Sequence, residues 1–133
     1  IIYFVSEELM MKKIIIIICL LLLVCGCSES EKTEKMSGGI TSITCEKALD
    51  LQAEEGTLVD VRESDEYKDS HLEGAVNVPL GNVVEEIEDY VADKDSVIIV
   101  YCKSGKRSAE AARKLQEAGY TKIYDLGSIN NCS

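Results

Sequence analysis

Five consecutive apolar residues, Val97-Ile98-Ile99-Val100-Tyr101, stand between the turn Asp93-Lys94-Asp95-Ser96 and a cluster of cations. A strand with one face in water alternates apolar and polar side chains. An unbroken run of this kind instead fits a strand covered on both faces, as in the centre of a parallel sheet. The rest of the chain then has to supply helices for both faces.

It does so by alternation. Strand-like runs at Ile40–Ile43, Thr57–Val61, Ala75–Val78 and Lys122–Leu126 are separated by helical patterns. The first helix follows Thr44 and carries Ala48, Leu49 and Leu51; a short one lies in Ser64–Ser70. A third, from about Asn82 to Val91, places Val83, Val84, Ile87 and Val91 on one face. The fourth, Ser108–Ala118, is Ala-rich and ends at Gly119. The expectation is one small α/β domain over residues 40–133, with a central parallel sheet of about five strands and helices on both faces. No internal repeat is visible.

The first forty residues read differently. Met11-Lys12-Lys13 precedes the apolar stretch IIIIICLLLLVC, Ile14–Cys25. About a dozen apolar residues behind a basic start suit a secretory signal better than a membrane span, which needs roughly 20. Val24-Cys25-Gly26-Cys27 then resembles the lipobox of bacterial lipoproteins, in which Cys27 is lipidated and becomes the mature N-terminus. Residues 27–39, charged and Ser-rich and closing on Gly38-Gly39, read as a flexible tether. Residues 1–26 are thus expected to be an upstream extension plus a lipoprotein signal peptide, with Ile1–Leu9 reflecting a start site placed too early. The expected location is the extracytoplasmic face of the cell membrane, through a lipid anchor.

The chain carries 14 basic and 24 acidic residues, a net charge of −10. Losing residues 1–26 removes two of each sign, so 12 against 22 leaves the same −10. So acidic a surface is not that of a nucleic-acid binder. Outside the signal region three cysteines remain, Cys45, Cys102 and Cys132. An odd number in an oxidising compartment leaves at least one free thiol. With no Cys-x-x-Cys pair and His71 the only histidine, no structural metal and no cofactor are expected.

Cys102 is the thiol with a setting. It closes the apolar run, where α/β sheets bind ligands, and a helix begins just beyond. Unpaired amides at the helix start favour an anion, Lys103, Lys106 and Arg107 add full charges, and Gly105 lets the loop fold tightly. Five cations lie between Lys103 and Lys114 against one acid, Glu110, in a chain of net −10. Such surroundings stabilise a thiolate and attract an anionic substrate. A buried cysteine merely ending a strand would not require this concentration of charge.

The loop Tyr101-Cys102-Lys103-Ser104-Gly105-Lys106-Arg107-Ser108 resembles the active-site loop of single-domain rhodanese-like sulfurtransferases, Cys-x-x-Gly-x-Arg-Ser. Further motifs of that family follow its order: Leu58-Val59-Asp60-Val61-Arg62-Glu63 with Glu66-Tyr67, His71-Leu72-Glu73-Gly74-Ala75, and Asn77-Val78-Pro79. The similarity covers Ile40 to Asn131. The chain departs from the pattern near its end, where Gly127-Ser128 replaces the usual Gly-Gly and no tryptophan follows.

The resemblance implies ping-pong covalent catalysis. Cys102 takes sulfane sulfur from a small anionic donor such as thiosulfate or a low-molecular-weight persulfide, and passes it to a thiol or cyanide acceptor. The backbone of Lys103, Ser104, Gly105, Lys106, Arg107 and Ser108 would surround the persulfide, with Lys106 or Arg107 steering the donor. Asp60 and Arg62 would shape the pocket floor, Tyr67 and Glu73 would fix loops, and His71 would be structural. A monomer with no nucleic-acid partner is expected.

Two rivals bear on the same loop. Related phosphatase and arsenate reductase loops place one more residue between Cys and Arg and a histidine before the cysteine. Here four residues separate Cys102 from Arg107 and Tyr101 precedes. The second rival is a membrane-tethered redox-sensing or binding module without turnover. In it Cys132 would resolve a Cys102 persulfide or form a disulfide with Cys102; the plainer reading of Cys132 is a disordered terminal thiol. Cys45, beside the N-cap Thr44, sits where a thiol pKa is depressed, but the sequence does not bring it to Cys102.

Overall fold

A computed structural model describes residues 12–15 and 39–133 of the chain. Residues 12–15 form an exposed helical turn. The remainder of the signal segment, the lipidation candidate Cys27 and the tether up to Gly38 lie outside the described residues.

Residues 40–133 form a five-stranded sheet in the order β1-β5-β4-β2-β3, with every neighbouring pair parallel. The strands are β1 (Ile40–Ser42), β2 (Thr57–Asp60), β3 (Val76–Asn77), β4 (Val97–Cys102) and β5 (Lys122–Ser128). β4 lies at the centre, between β2 and β5, and its residues Ile98 to Cys102 are wholly buried. Alternation along the strand divides them: Ile98, Val100 and Cys102 face one layer, Ile99 and Tyr101 the other. Complete burial of a side chain such as Ile98 contributes about 1.5–3 kcal/mol, which is why the run has no polar interruption.

The helices complete both layers. α1 (Cys45–Ala53) starts where the Thr44 hydroxyl accepts the Lys47 N–H, and buries Ala48 and Leu51 against the Tyr101 face. On the same face lies the chain around α2 (Ser64–Asp69), through Tyr67 and Leu72. α3 (Val83–Glu86) and α4 (Lys106–Glu117) cover the Cys102 face, with Val83, Ala111, Ala112 and Leu115 inward.

Several sequence expectations need correction. Leu49 is 58% exposed, because one residue past Ala48 turns it off the Ala48–Leu51 stripe. Val84 likewise points outward, while Val83, Ile87 and Val91, four residues apart, are buried. The expected helix 82–91 is broken into a 3₁₀ turn at Leu80–Asn82, the single α-turn of α3 and a second 3₁₀ turn at Ile87–Asp89. Glu85, Glu86, Glu88 and Asp89 would crowd the negative end of a longer helix. α4 begins at Lys106, two residues earlier than expected, because Gly105 adopts φ +95° and serves as the N-cap. β3 shortens to two residues, and β5 runs on to Ser128 past a bulge that sets Tyr101 beside Gly127 rather than Leu126.

Candidate active site

The crossovers leaving β2 and β4 diverge at the C-terminal edge of the sheet, and Cys102 stands there as the last residue of β4. Only three residues, Lys103–Gly105, separate the strand from α4. The tight turn aims amides at the sulfur: Gly105 N donates to Cys102 Sγ at 3.0 Å. Burial pushes the thiol pKa up, but the N–H groups of Ser108 and Gly105, the Ser108 hydroxyl and the Ser104 N–H outweigh it. The thiol sits below its ordinary value. Cys102 is the free thiol among the described residues, and it is fully buried. The burial that a filler cysteine would show is therefore present, but joined to an anion-stabilising cradle.

The expected donor-binding cations divide. Lys103 and Lys106 are exposed. Arg107 is instead held by Glu66 of α2 in a two-pronged pair, Nη1 to Oε2 at 2.6 Å and Nη2 to Oε1 at 2.9 Å. Hydrogen bonding from Arg107 holds the Glu66 carboxyl down at about 2. Glu66 also accepts the Glu63 N–H in a capping box at the start of α2. Arg107 thus anchors the loop to α2, and its charge still acts on Cys102. The sequence pointed to Glu66 only as part of a motif.

Asp60 and Arg62 lie on the Tyr101 side of the sheet. Arg62 Nη2 donates to Asp60 Oδ2 and to Ser70 O, each at 2.6 Å, and Arg62 N donates to Asp60 Oδ1 at 2.9 Å. Tyr101 donates its hydroxyl to Asp60 Oδ2 at 2.8 Å and accepts the Leu72 N–H at 3.0 Å. Burial, with Asp60 beside it, raises the Tyr101 pKa, so the phenol stays a donor. Asn77 Nδ2 donates to the carbonyls of Asp60 and Arg62. Together these bonds tie the ends of β2, β3 and β4 to the loop after α2. Arg62 also lines a cleft of about 390 Å³ shared with Glu66, Ser70, Lys103, Ile129 and Asn130.

The other motif residues act away from the sulfur. Tyr67 donates its hydroxyl to Ala75 O at 2.7 Å, and the carbonyl of Glu73 accepts Gln52 Nε2 at 2.9 Å. His71 stacks on the Tyr67 ring, with Nδ1 2.8 Å from Tyr67 O.

Cys132 corrects the sequence reading. It ends an ordered 3₁₀ turn, Ile129–Cys132, and is bonded to Cys45 at the start of α1. It is neither a disordered terminal thiol nor available to pair with Cys102. The two cysteines are 87 positions apart, and nothing local in the sequence records that β1 and β5 are neighbours that bring α1 beside the tail.

The rhodanese-like domain model matches residues 44–131, from the N-cap of α1 to the last turn. The chain belongs to the rhodanese-like family. Thiosulfate sulfurtransferase PspE of Escherichia coli is 38% identical over 73 residues, 55% of this chain and 70% of that one. GlpE of Coxiella burnetii, of the same enzyme name, is 33% identical over 69 residues, 52% of this chain and 63% of its own. For the putative sulfur carrier protein YrkF of Bacillus subtilis the match, 38% identical, spans only 36% of that protein. A solved E. coli rhodanese with anions superposes with a TM-score of 0.56 at 37% identity, covering 57% of this chain and 89% of that one. These relatives make the chain a rhodanese-type sulfurtransferase. The five-stranded parallel sheet is the fold the family resemblance implied.

Proposed function

We propose that Cys102 is the sulfur-carrying nucleophile: its thiolate attacks the outer sulfur of thiosulfate or a low-molecular-weight persulfide, and the remaining sulfite or thiolate leaves with the bonding electron pair. The Cys102 persulfide is then attacked at its terminal sulfur by cyanide or a thiol, which restores the thiolate. The observation that carries the reading is the loop Lys103–Ser108, which directs N–H groups at Cys102 Sγ and keeps its pKa low. A thiol held below its ordinary pKa ionises more readily, so the first step calls for no general base.

Lys103 and Lys106 supply the free positive charge that draws the donor, and Arg107, paired with Glu66, holds the loop's shape. Ser104, Gly105 and Ser108 supply donors to the sulfur. Asp60 and Arg62 brace the loops beside the cleft. We further propose that the domain works as a monomer, lipid-anchored through Cys27 on the extracytoplasmic face. The Cys45–Cys132 pairing supports that location, since disulfides persist in oxidising compartments.

Thiocyanate formation from thiosulfate and cyanide tests the activity. Turnover by the protein and its loss in Cys102→Ser are expected. Turnover that survives in Cys102→Ser would overturn the assignment of the nucleophile.

A further inference from the structure

Where the chain departs from the family pattern, at Ser128 and the residues after it, it builds a wall beside the cysteine loop. Ser128 is the register partner of Cys102. Its hydroxyl donates to Lys103 O at 2.6 Å and accepts the Asn130 N–H at 3.2 Å, so one oxygen joins the loop to the 3₁₀ turn Ile129–Cys132. Two further ties close that turn. Asn131 Nδ2 donates to Leu126 O at 2.8 Å, and Cys132 is bonded to Cys45 of α1. A terminal segment that would fray on its own is thereby fixed at both ends.

The wall borders the cleft of about 390 Å³ that is also lined by Lys103, the residue after Cys102. Ile129, Asn130, Cys132 and Ser133 line it from the tail, and Asp69 and Ser70 from the end of α2. A cleft in the range of about 300–1,000 Å³ suits an organic ligand. Thiosulfate alone would leave most of this one empty. The groups on offer are mixed. Ile129 is aliphatic, and Asn130 uses its backbone N–H and carbonyl within the turn, which leaves its carboxamide to the cleft. Lys103 and Asp69 are exposed, and neither is ion-paired among the described residues. A molecule with carboxylate, ammonium and apolar parts matches this set better than a bare anion does.

We propose that the tail turn is the specificity wall of the sulfur-transfer site: Ile129 and Asn130 contact the organic part of a low-molecular-weight thiol or persulfide that carries both carboxylate and ammonium groups. Ser128 and the Cys45–Cys132 bond hold the two residues in place. This role rests on Cys102 being the sulfur carrier. A carboxylate of the partner is drawn to Lys103 and its ammonium to Asp69. Ile129 covers methylene groups, and the Asn130 carboxamide pairs with a polar group of the partner. Thiosulfate has no organic part and makes no use of the wall. Because the turn hangs on a half-buried disulfide, a thiol reductant loosens it: two thiols convert the bond to two cysteine thiols and are themselves oxidised to a disulfide. Selectivity among sulfur partners thereby follows the redox state of that bond.

Two measurements on the full chain test the wall. In the first, kcat/KM with cyanide as acceptor is taken for glutathione persulfide and for thiosulfate, after subtraction of the uncatalysed rate. The ratio of the two values is compared between the wild type, Ile129→Ala, Asn130→Ala and Cys132→Ser. It should fall at least about threefold in each variant. Partial unfolding lowers both rates alike and leaves the ratio in place, so a weakened fold does not imitate the result. An unchanged ratio in Ile129→Ala and Asn130→Ala overturns the wall, and an unchanged ratio in Cys132→Ser overturns the part given to the disulfide. In the second, S-methylglutathione, which neither gives nor takes sulfur, is titrated while the backbone amide resonances are followed by NMR. Saturable shifts should appear at Ser70, Lys103 and Asn130, with an affinity at least about threefold weaker in Ile129→Ala. Their absence at millimolar concentration overturns the proposal. A wild type that turns over neither donor would instead refute Cys102 as the sulfur carrier, and the titration still decides what the cleft binds.

Discussion

Replacing Glu66 by Gln isolates the ion pair that ties the cysteine loop to α2. A glutamine at this third helical position still completes the capping box with Glu63, so the start of α2 is kept and the charge on Arg107 loses its partner. Arg107 holds the Glu66 carboxyl at about 2 against an ordinary 4.5. A shift of that size has a ceiling of about 3.4 kcal/mol. Each side chain is 31% exposed, and solvent screening reduces the expected loss to roughly 1–2 kcal/mol at pH 7. The folded-state pKa is depressed, so this stability is fully present above about pH 4.5 and disappears as pH falls through about 2. Urea unfolding of the two proteins across pH 2–7 should therefore show a gap at neutral pH that closes in acid. No gap at pH 7, or one of equal size at both ends, would refute the reasoning.

Three further perturbations follow from the same geometry. The Cys45–Cys132 bond closes a loop of 87 positions, so reductant or Cys132→Ser should cost roughly 4–5 kcal/mol in urea unfolding; an unchanged midpoint would show the bond does not constrain the chain. Gly105→Ala places a side chain at φ +95° with no clash closer than 3.6 Å, so the loss should be strain of about 1–2 kcal/mol together with slower alkylation of Cys102; a wild-type alkylation rate would contradict the role of the Gly105 amide. Asp60→Ala strands a buried guanidinium and removes the acceptor of the Tyr101 hydroxyl, with an expected loss of about 3–5 kcal/mol; a loss under about 1 kcal/mol in urea unfolding would mean that Arg62 is satisfied by Ser70 O alone.

The layered fold was legible because it is written in local patterns: the run Val97–Tyr101 needs both faces covered, and Ala48 with Leu51, Val83 with Ile87, and Ala111 with Leu115 are pairs at helical spacing. The place of Cys102 was legible for a similar reason, since strand end, glycine and helix start are consecutive. What stayed hidden depends on strand order. Cys45 meets Cys132, Glu66 meets Arg107 and Ser128 meets Lys103 only because distant segments are set side by side by the sheet. Arg107 was read as a free cation because its partner lies 41 positions away. Boundaries failed where one residue changes the backbone, as Gly105 does in starting α4 early.

The central claim is that Cys102 carries sulfur. The most direct measurement is the intact mass of the protein after incubation with thiosulfate, or with a glutathione persulfide, and removal of excess donor, alongside Cys102→Ser. The account predicts a gain of one sulfur atom that cyanide removes and that the serine variant never shows. Protein that gains no sulfur from either donor, or a serine variant that gains as much, would contradict it.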